Sequence, residues 1–427
     1  MTKVIALLKT YLLLCVLFTT ALVVVFSIPA SWLRNHLLQS VETIQQEGIW
    51  PKVGGIYLLQ IDNMTDCLML NINACADSSH PVYAAMMNEY AQNYDDARYY
   101  LNMAETTQQL LEKGRDQMTG VYSYGRYWHG YQVVLRPLLL LLDYSKIRIV
   151  NYILLFSLAI YLFFLFLKRQ GSKIAWVFML SLLLVAFPVV PSALQFSTSF
   201  YIAFIGMLWM MKSSWVRKKE QNVCLSFFVI GAFTSYMDFL TTPQITLGLP
   251  LMVWIMERKP VRKILCVWKM SVYWFIGYAS LWTTKWFLAP LLTGESVMES
   301  VKENIALRLS HTVYYGGEPW EMGDFIRMIS EKTLAHPAFP FLSVILFLFL
   351  SFLIYYVVTH RTMTHQKGWL WLITLFVPCW YLCLFNHSLQ HIFFTWRALL
   401  VSVFALLLIP FISSDHEKDC RTDSLLQ

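Results

Sequence analysis

Ten apolar runs, most of them separated by short basic turns, leave this chain few ways to fold. They lie at about 4–29, 147–167, 174–190, 194–211, 223–240, 244–256, 264–288, 339–358, 369–385 and 393–412. A helix needs ~20 such residues to cross a ~30 Å hydrocarbon layer, where no water is available to an open backbone. Charge is correspondingly sparse, at 14% of 427 residues against 57% hydrophobic ones. A soluble protein of that size could not cover its surface with so little charge. The fold class expected is an all-α polytopic membrane protein of about ten transmembrane helices, with a large, partly helical outer loop after the first.

The charged residues predict an orientation. Alternate connections carry Lys168, Arg169 and Lys173; then Lys212, Arg217, Lys218 and Lys219; then Arg258, Lys259, Arg262 and Lys263; then Arg361 and Lys367. All fall on the side of Lys3, so the positive-inside rule predicts a multi-pass cell-membrane protein with both termini cytoplasmic. The connection over 31–131 has instead eleven Asp or Glu against six Lys or Arg. The organisation expected is a first transmembrane helix over 1–30 and an extracytoplasmic loop with interfacial helices over 31–146. Transmembrane helices two to seven follow over 147–288, then a second extracytoplasmic loop over 289–338. Helices eight to ten cover 339–412, and a cytoplasmic tail covers 413–427. The first run is too long for a signal-peptide core and reads as retained.

Inside the first loop, 31–46 has the pattern of an amphipathic surface helix, and 82–113 is rich in helix formers. The apolar stretch 131–142, broken by Arg136-Pro137, is too short to span and reads as re-entrant or interfacial. Cys67 and Cys75 are the two cysteines of this loop, and an oxidising compartment would allow them to pair. The net charge of +7 comes from the short turns, with no zinc spacing and no RNA-binding signature, so no nucleic-acid partner is expected.

Four stretches carry residues able to do chemistry. If 62–66 is helical, Asp62 and Asp66 share a face. Set against Cys67-Leu68-Met69-Leu70, they would hold protons more tightly and suit a general base. Two solvated loop acids, with Asp62 capping a helix, fit the same residues. The stretch Tyr122 to Tyr131 is dense in aromatics around Arg126, Tyr127, Trp128 and His129. It has the composition of a sugar or headgroup site, and equally of an interfacial aromatic belt. Asp238 sits at the outer turn between two runs, where an acid faces a polar cavity or caps the turn with Thr241 and Thr242. His387 and His391 are four apart, with Arg397 a little deeper. No acid completes a zinc pattern, so no metal ligands are assigned; the cluster suits a phosphate, or is a set of snorkelling side chains. Lys285, Arg308 and His311 would add to the same positive pocket.

A retained first helix, a large acidic outer loop, a polytopic bundle and Leu135-Arg136-Pro137-Leu-Leu-Leu followed by Arg148 at a span's start resemble the GT-C superfamily of membrane glycosyltransferases. The resemblance is one of topology over most of the chain. It implies a GT-C-like fold that moves a sugar from a polyprenyl-phosphate-type donor to an extracytoplasmic glycan or lipid acceptor. The bilayer, a lipid-linked sugar and the acceptor are the partners implied; no cofactor is required, and a divalent cation is left open. The family's acid lies in the first loop, commonly as an adjacent pair soon after the first helix. Here Asp62 and Asp66 are not adjacent and come about thirty residues later, and the adjacent pair Asp95-Asp96 comes later still. Asp66 and Asp62 are the expected catalytic residues. Arg126, Tyr127, Trp128, His129, Asp238, Lys285, His387, His391 and Arg397 are the expected substrate-binding ones. A polysaccharide polymerase, a transporter or flippase of a lipid-linked glycan, and a non-enzymatic scaffold remain alternatives.

Overall fold

In the computed structural model, residues 2–93, 100–238, 240–310, 312–315, 318–320, 324 and 367–412 are described, and they are almost entirely helical. Four helices are long and apolar enough to cross a bilayer: α1 (Thr2–Phe26), α7 (Tyr144–Arg169), α9 (Leu194–Lys212) and α13 (Lys263–Thr293). Only 22% of the apolar window of α1 and 28% of that of α7 is buried inside the protein. Leu12, Val16 and Val24 on α1, with Ile149, Ile153 and Phe164 on α7, face outward. A membrane accounts for such surfaces, and water does not.

Between these helices lie α8 (Ser172–Leu184), α10 (Ser214–Lys218), α11 (Glu220–Met237) and α12 (Pro243–Arg258). Every residue of α12 from Pro243 to Met256 is buried, so it is the central strut of the bundle. α11 and α13 cross backbone to backbone. A Cβ on Gly231 would lie 2.0 Å from the Trp274 carbonyl oxygen, and one on Gly277 would lie 2.0 Å from that of Phe228. Reciprocal glycines are how helices approach closely where lipid gives no hydrophobic drive.

The polar segment after α1 folds into α2 (Ala30–Glu47), α3 (Asn63–Cys75), α4 (Pro81–Met87), α5 (Met103–Lys113) and α6 (Gln132–Leu138). A two-stranded antiparallel ribbon, β1 (Tyr90–Gln92) with β2 (Gly120–Tyr122), joins them. α2 buries Leu33, Leu37, Val41 and Ile44, a stripe at helical spacing. That stripe shares one apolar cluster with Phe18, Leu22 and Phe26 of α1 and with Met69 of α3, so the segment packs onto the bundle. After α13 comes α14 (Met298–Leu309), a 12-residue amphipathic helix.

Several expectations change. The run 174–190 ends as a helix at Leu184 and continues as a 3₁₀ turn over Phe187–Ser192, because Pro188 and Pro191 cannot donate to a continuing α-helix. The run 369–385 is broken into Gly368–Thr374 and Phe376–Cys383. Pro378 has no N–H for the carbonyl of Thr374, which accepts from Ser402 Oγ at 2.8 Å instead. The last run divides into Ile392–Thr395, a 3₁₀ turn over Trp396–Leu399, and Leu400–Leu408. The stretch 82–113 is two helices around β1. Among the described residues, therefore, four of the expected runs are long, apolar, continuous helices; run 339–358 lies outside those residues. Cys67 and Cys75 do not pair: both sit on α3, about 12 Å apart along its axis, beyond the ~7 Å that a disulfide spans.

Candidate functional site

A groove of about 210 Å³ opens between the outer half of α13 and one face of α14. From α14 it takes Val301, Asn304, Ile305, Arg308 and Leu309, one helical face. Opposite stand Trp282 and Trp286, with Tyr127, Trp380, Leu240 and Leu384 closing the ends. Trp282 and Trp286 continue a ladder of rings along α13: Trp274 to Tyr278 is 4.9 Å, Tyr278 to Trp282 is 5.3 Å and Trp282 to Trp286 is 6.0 Å between centroids. The Tyr127 ring meets Trp282 at 5.9 Å.

Two cations border this aromatic wall. The Arg126 guanidinium lies 4.2 Å from the Tyr124 ring centre and donates to Ser300 Oγ at 3.2 Å. Arg308 donates to Gln390 Oε1 at 3.2 Å and to His391 Nε2 at 3.3 Å. Among the described residues, neither forms a salt bridge. Arg126 Nε, Arg308 Nε and Trp282 Nε1 are all buried without an acceptor. Three unmet donors on one groove are unusual, since buried polar groups are nearly always paired. The backbone is also unusual at two points nearby: His129 has φ 58° and Leu240 has φ 72°, conformations that side chains other than glycine rarely adopt.

The carboxylates lie elsewhere or behind the wall. Asp66 is fully buried on α3 and serves the N-terminus of α9: it accepts from Leu194 N at 2.8 Å, Gln195 N at 3.1 Å and Tyr144 Oη at 2.5 Å. Burial pushes its carboxyl up from the usual range, while these donors pull the other way. Asp62 is the N-cap of α3, accepting from Thr65 N at 3.1 Å and Thr65 Oγ1 at 2.7 Å; burial pushes it up to about 6. Neither lines the groove. Asp238 ends α11 and accepts from Thr241 N at 2.9 Å, two residues from the groove-lining Leu240. It is within electrostatic reach of Tyr278, whose ring abuts Trp282. Asp95 and Asp96 lie outside the described residues, as does His311.

The remaining expected site residues divide. Arg126 and Tyr127 line the groove; Trp128 and His129 stand behind it. Trp128 Nε1 donates to Leu281 O at 2.7 Å, fixing the loop to α13. His129 Nε2 meets the Tyr124 carbonyl at 3.0 Å, and its Nδ1 meets Tyr131 Oη at 2.9 Å, so burial and hydrogen bonding hold it neutral. Lys285 is buried, donating to Ala85 O at 3.0 Å beside the Trp128 ring. His391 stacks on Phe394 and receives Arg308. Arg397 is withdrawn from the groove: it bonds Phe393 O at 2.8 Å and lies over the Phe196 ring at 4.7 Å, next to Gln195. Asp66 and Arg397 are thus brought near one another, but by packed side chains rather than across an open hollow.

Sequence reasoning missed Trp282, Trp286 and Trp380. The first two follow Trp274 and Tyr278 at intervals of four, a signal legible in the run 264–288. Among the described residues, no three His, Cys, Asp or Glu side chains converge as metal ligands. No protein-family model, curated protein or solved structure matches this chain.

Proposed function

We propose that the chain is a membrane glycosyltransferase that moves a sugar from a polyprenyl-phosphate-type donor to an extracytoplasmic glycan or lipid acceptor. In this reading ten spans place both termini in the cytoplasm and the groove outside, as the alternating basic turns favour. The observation that carries it is the pairing of an aromatic wall with three donors that lack acceptors, on Arg126, Arg308 and Trp282. A phosphate offers only acceptors, and guanidinium groups bind it with charge-assisted hydrogen bonds. An isoprenoid chain is apolar and suits the tryptophan face beside it.

The chemistry asks little of the protein. The acceptor hydroxyl oxygen forms a bond to the anomeric carbon as the bond from that carbon to the donor phosphate breaks. The phosphate leaves with the electron pair, its growing charge met by Arg126 and Arg308, and the hydroxyl proton passes to a carboxylate. We assign that carboxylate to Asp238, the acid nearest to a groove-lining residue in the chain; Asp66 and Asp62 hold helix ends. The test supplies radiolabelled prenyl-phosphate sugars to purified protein in nanodiscs, with membrane extract as acceptor. Arg126→Gln and Arg308→Gln should weaken donor binding by roughly ten- to a hundredfold, the cost of one lost charged hydrogen bond. Asp238→Asn should bind donor and fail to transfer. Full transfer by Asp238→Asn removes the assigned base, and absence of donor binding by the wild type removes the function.

A further inference from the structure

Behind the groove wall, at the 238–242 turn, the polarity of the unmet groups reverses. The His387 ring is 3% exposed, and its Nε2 lies 2.9 Å from the carbonyl oxygen of Leu240, the residue whose side chain lines the groove. A carbonyl only accepts, so Nε2 carries the hydrogen and Nδ1 is a bare lone pair. That Nδ1 is buried without a partner. Two glutamines at the same turn also leave a buried amide oxygen unmet. Gln195 touches Thr241 Oγ1 at 3.4 Å through its other amide atom, and Gln244 follows Thr242 by two residues. The hydroxyls of Ser235 and Ser388 are likewise buried without partners. Hydroxyl groups and amides, not lipid-like chains, surround this turn: Ser199 Oγ meets Thr242 Oγ1 at 2.5 Å just below it.

We propose that this cluster is a hydroxyl-reading subsite, in which His387 Nδ1, with Gln195 and Gln244 beside it, accepts hydrogen bonds from the ring hydroxyls of the donor's sugar. The inference rests on the function proposed above and adds what the groove alone does not say. A phosphodiester has no hydrogen to give and cannot satisfy a lone pair, whereas a sugar hydroxyl can. The two halves then match the two halves of a glycosyl phosphate: donors on Arg126, Arg308 and Trp282 for the phosphate, acceptors around Leu240 for the sugar. Burial, with the nearby Arg308 charge, pushes His387 down to about 3, so it stays neutral and acts as a positioning acceptor rather than as the base.

The experiment measures binding to the full chain in nanodiscs by quenching of tryptophan fluorescence. The probes are farnesyl phosphate, and farnesyl phosphate esterified to glucose, galactose, mannose or arabinose. At least one glycosylated probe should bind the wild type about tenfold more tightly than bare farnesyl phosphate, the worth of one or two well-made hydrogen bonds. His387→Phe should erase that margin and leave bare farnesyl phosphate binding unchanged. His387→Gln, which can both donate to Leu240 O and offer an acceptor, should restore part of it; unfolding temperatures of both variants control for folding. Arg308→Gln should weaken every probe alike. If farnesyl phosphate binds but no sugar adds affinity, or if His387→Phe keeps the margin, the subsite is refuted and a bound water fills the place. If farnesyl phosphate itself does not bind, the donor reading falls and the subsite with it.

Discussion

Asp66 offers the sharpest test of what its position means. A catalytic base must be free to take a proton, whereas here the carboxylate is the meeting point of three donors. Two are backbone N–H groups in the first turn of α9, 128 and 129 residues away in the chain, and the third is the Tyr144 hydroxyl. Hydrogen bonds to an ionised group are worth ~1.5–3 kcal/mol each, and a buried donor left unmet costs a further ~1–3 kcal/mol. An asparagine presents one oxygen and one NH₂, so Asp66→Asn keeps part of the arrangement and sets its own donor against the others. The expected loss is about 2–4 kcal/mol, and Asp66→Leu, which removes every acceptor, should lose more.

The assay is thermal unfolding of detergent-solubilised protein at matched scan rates, since membrane proteins of this size unfold irreversibly. Each kcal/mol corresponds to roughly 2 °C in a large chain, so Asp66→Asn should unfold several degrees early. Tyr144→Phe alone should do so by less, and the double variant should fall short of the sum, because the two side chains share one bond. An Asp66→Asn protein that unfolds with the wild type would refute the anchoring argument and return Asp66 to the list of candidate bases.

Two further outcomes follow from the packing and the titration of the outer segment. Gly277→Ala, whose Cβ would sit 2.0 Å from a backbone oxygen, should cost at least ~1–3 kcal/mol by forcing α13 from α11; Gly368→Ala, with only Ile264 Cδ1 at 3.4 Å, should be near neutral, and equal unfolding temperatures would refute the close crossing. Asp62 is raised to about 6 from the 3.8 of an unperturbed carboxyl, so the folded form binds its proton more tightly than the unfolded one. Its contribution is complete below about pH 4 and is lost as the pH rises through 6. Asp62→Asn, which keeps an N-cap, should therefore gain up to about 3 kcal/mol over the wild type at pH 8 and nothing at pH 4; a pH-independent difference would refute the shift.

How much of this was legible in the residues depends on how far apart the interacting groups lie. The long apolar runs, the α2 stripe and the cap at Asp62 are local patterns, and each can be read within a few turns of chain. The breaks at Pro188, Pro191 and Pro378 were local too, but a window sum of hydropathy does not register a missing N–H, so runs 174–190 and 369–385 looked continuous. Asp66 and Arg397 show the opposite case. Both are ionisable residues beside apolar sequence, and composition marks such residues as functional. Their partners, the α9 N-terminus and the carbonyls of Phe393 and Leu58, are what settle whether the charge is spent on holding the fold. Arg126 and Arg308 carry the same side chain and show it bound only by neutral groups, with Nε unmet on each. In a bundle whose outer surface is apolar, a buried arginine is informative only through its unmet hydrogen-bond capacity. That quantity is a property of the surrounding donors and acceptors, and no reading of one segment at a time contains it.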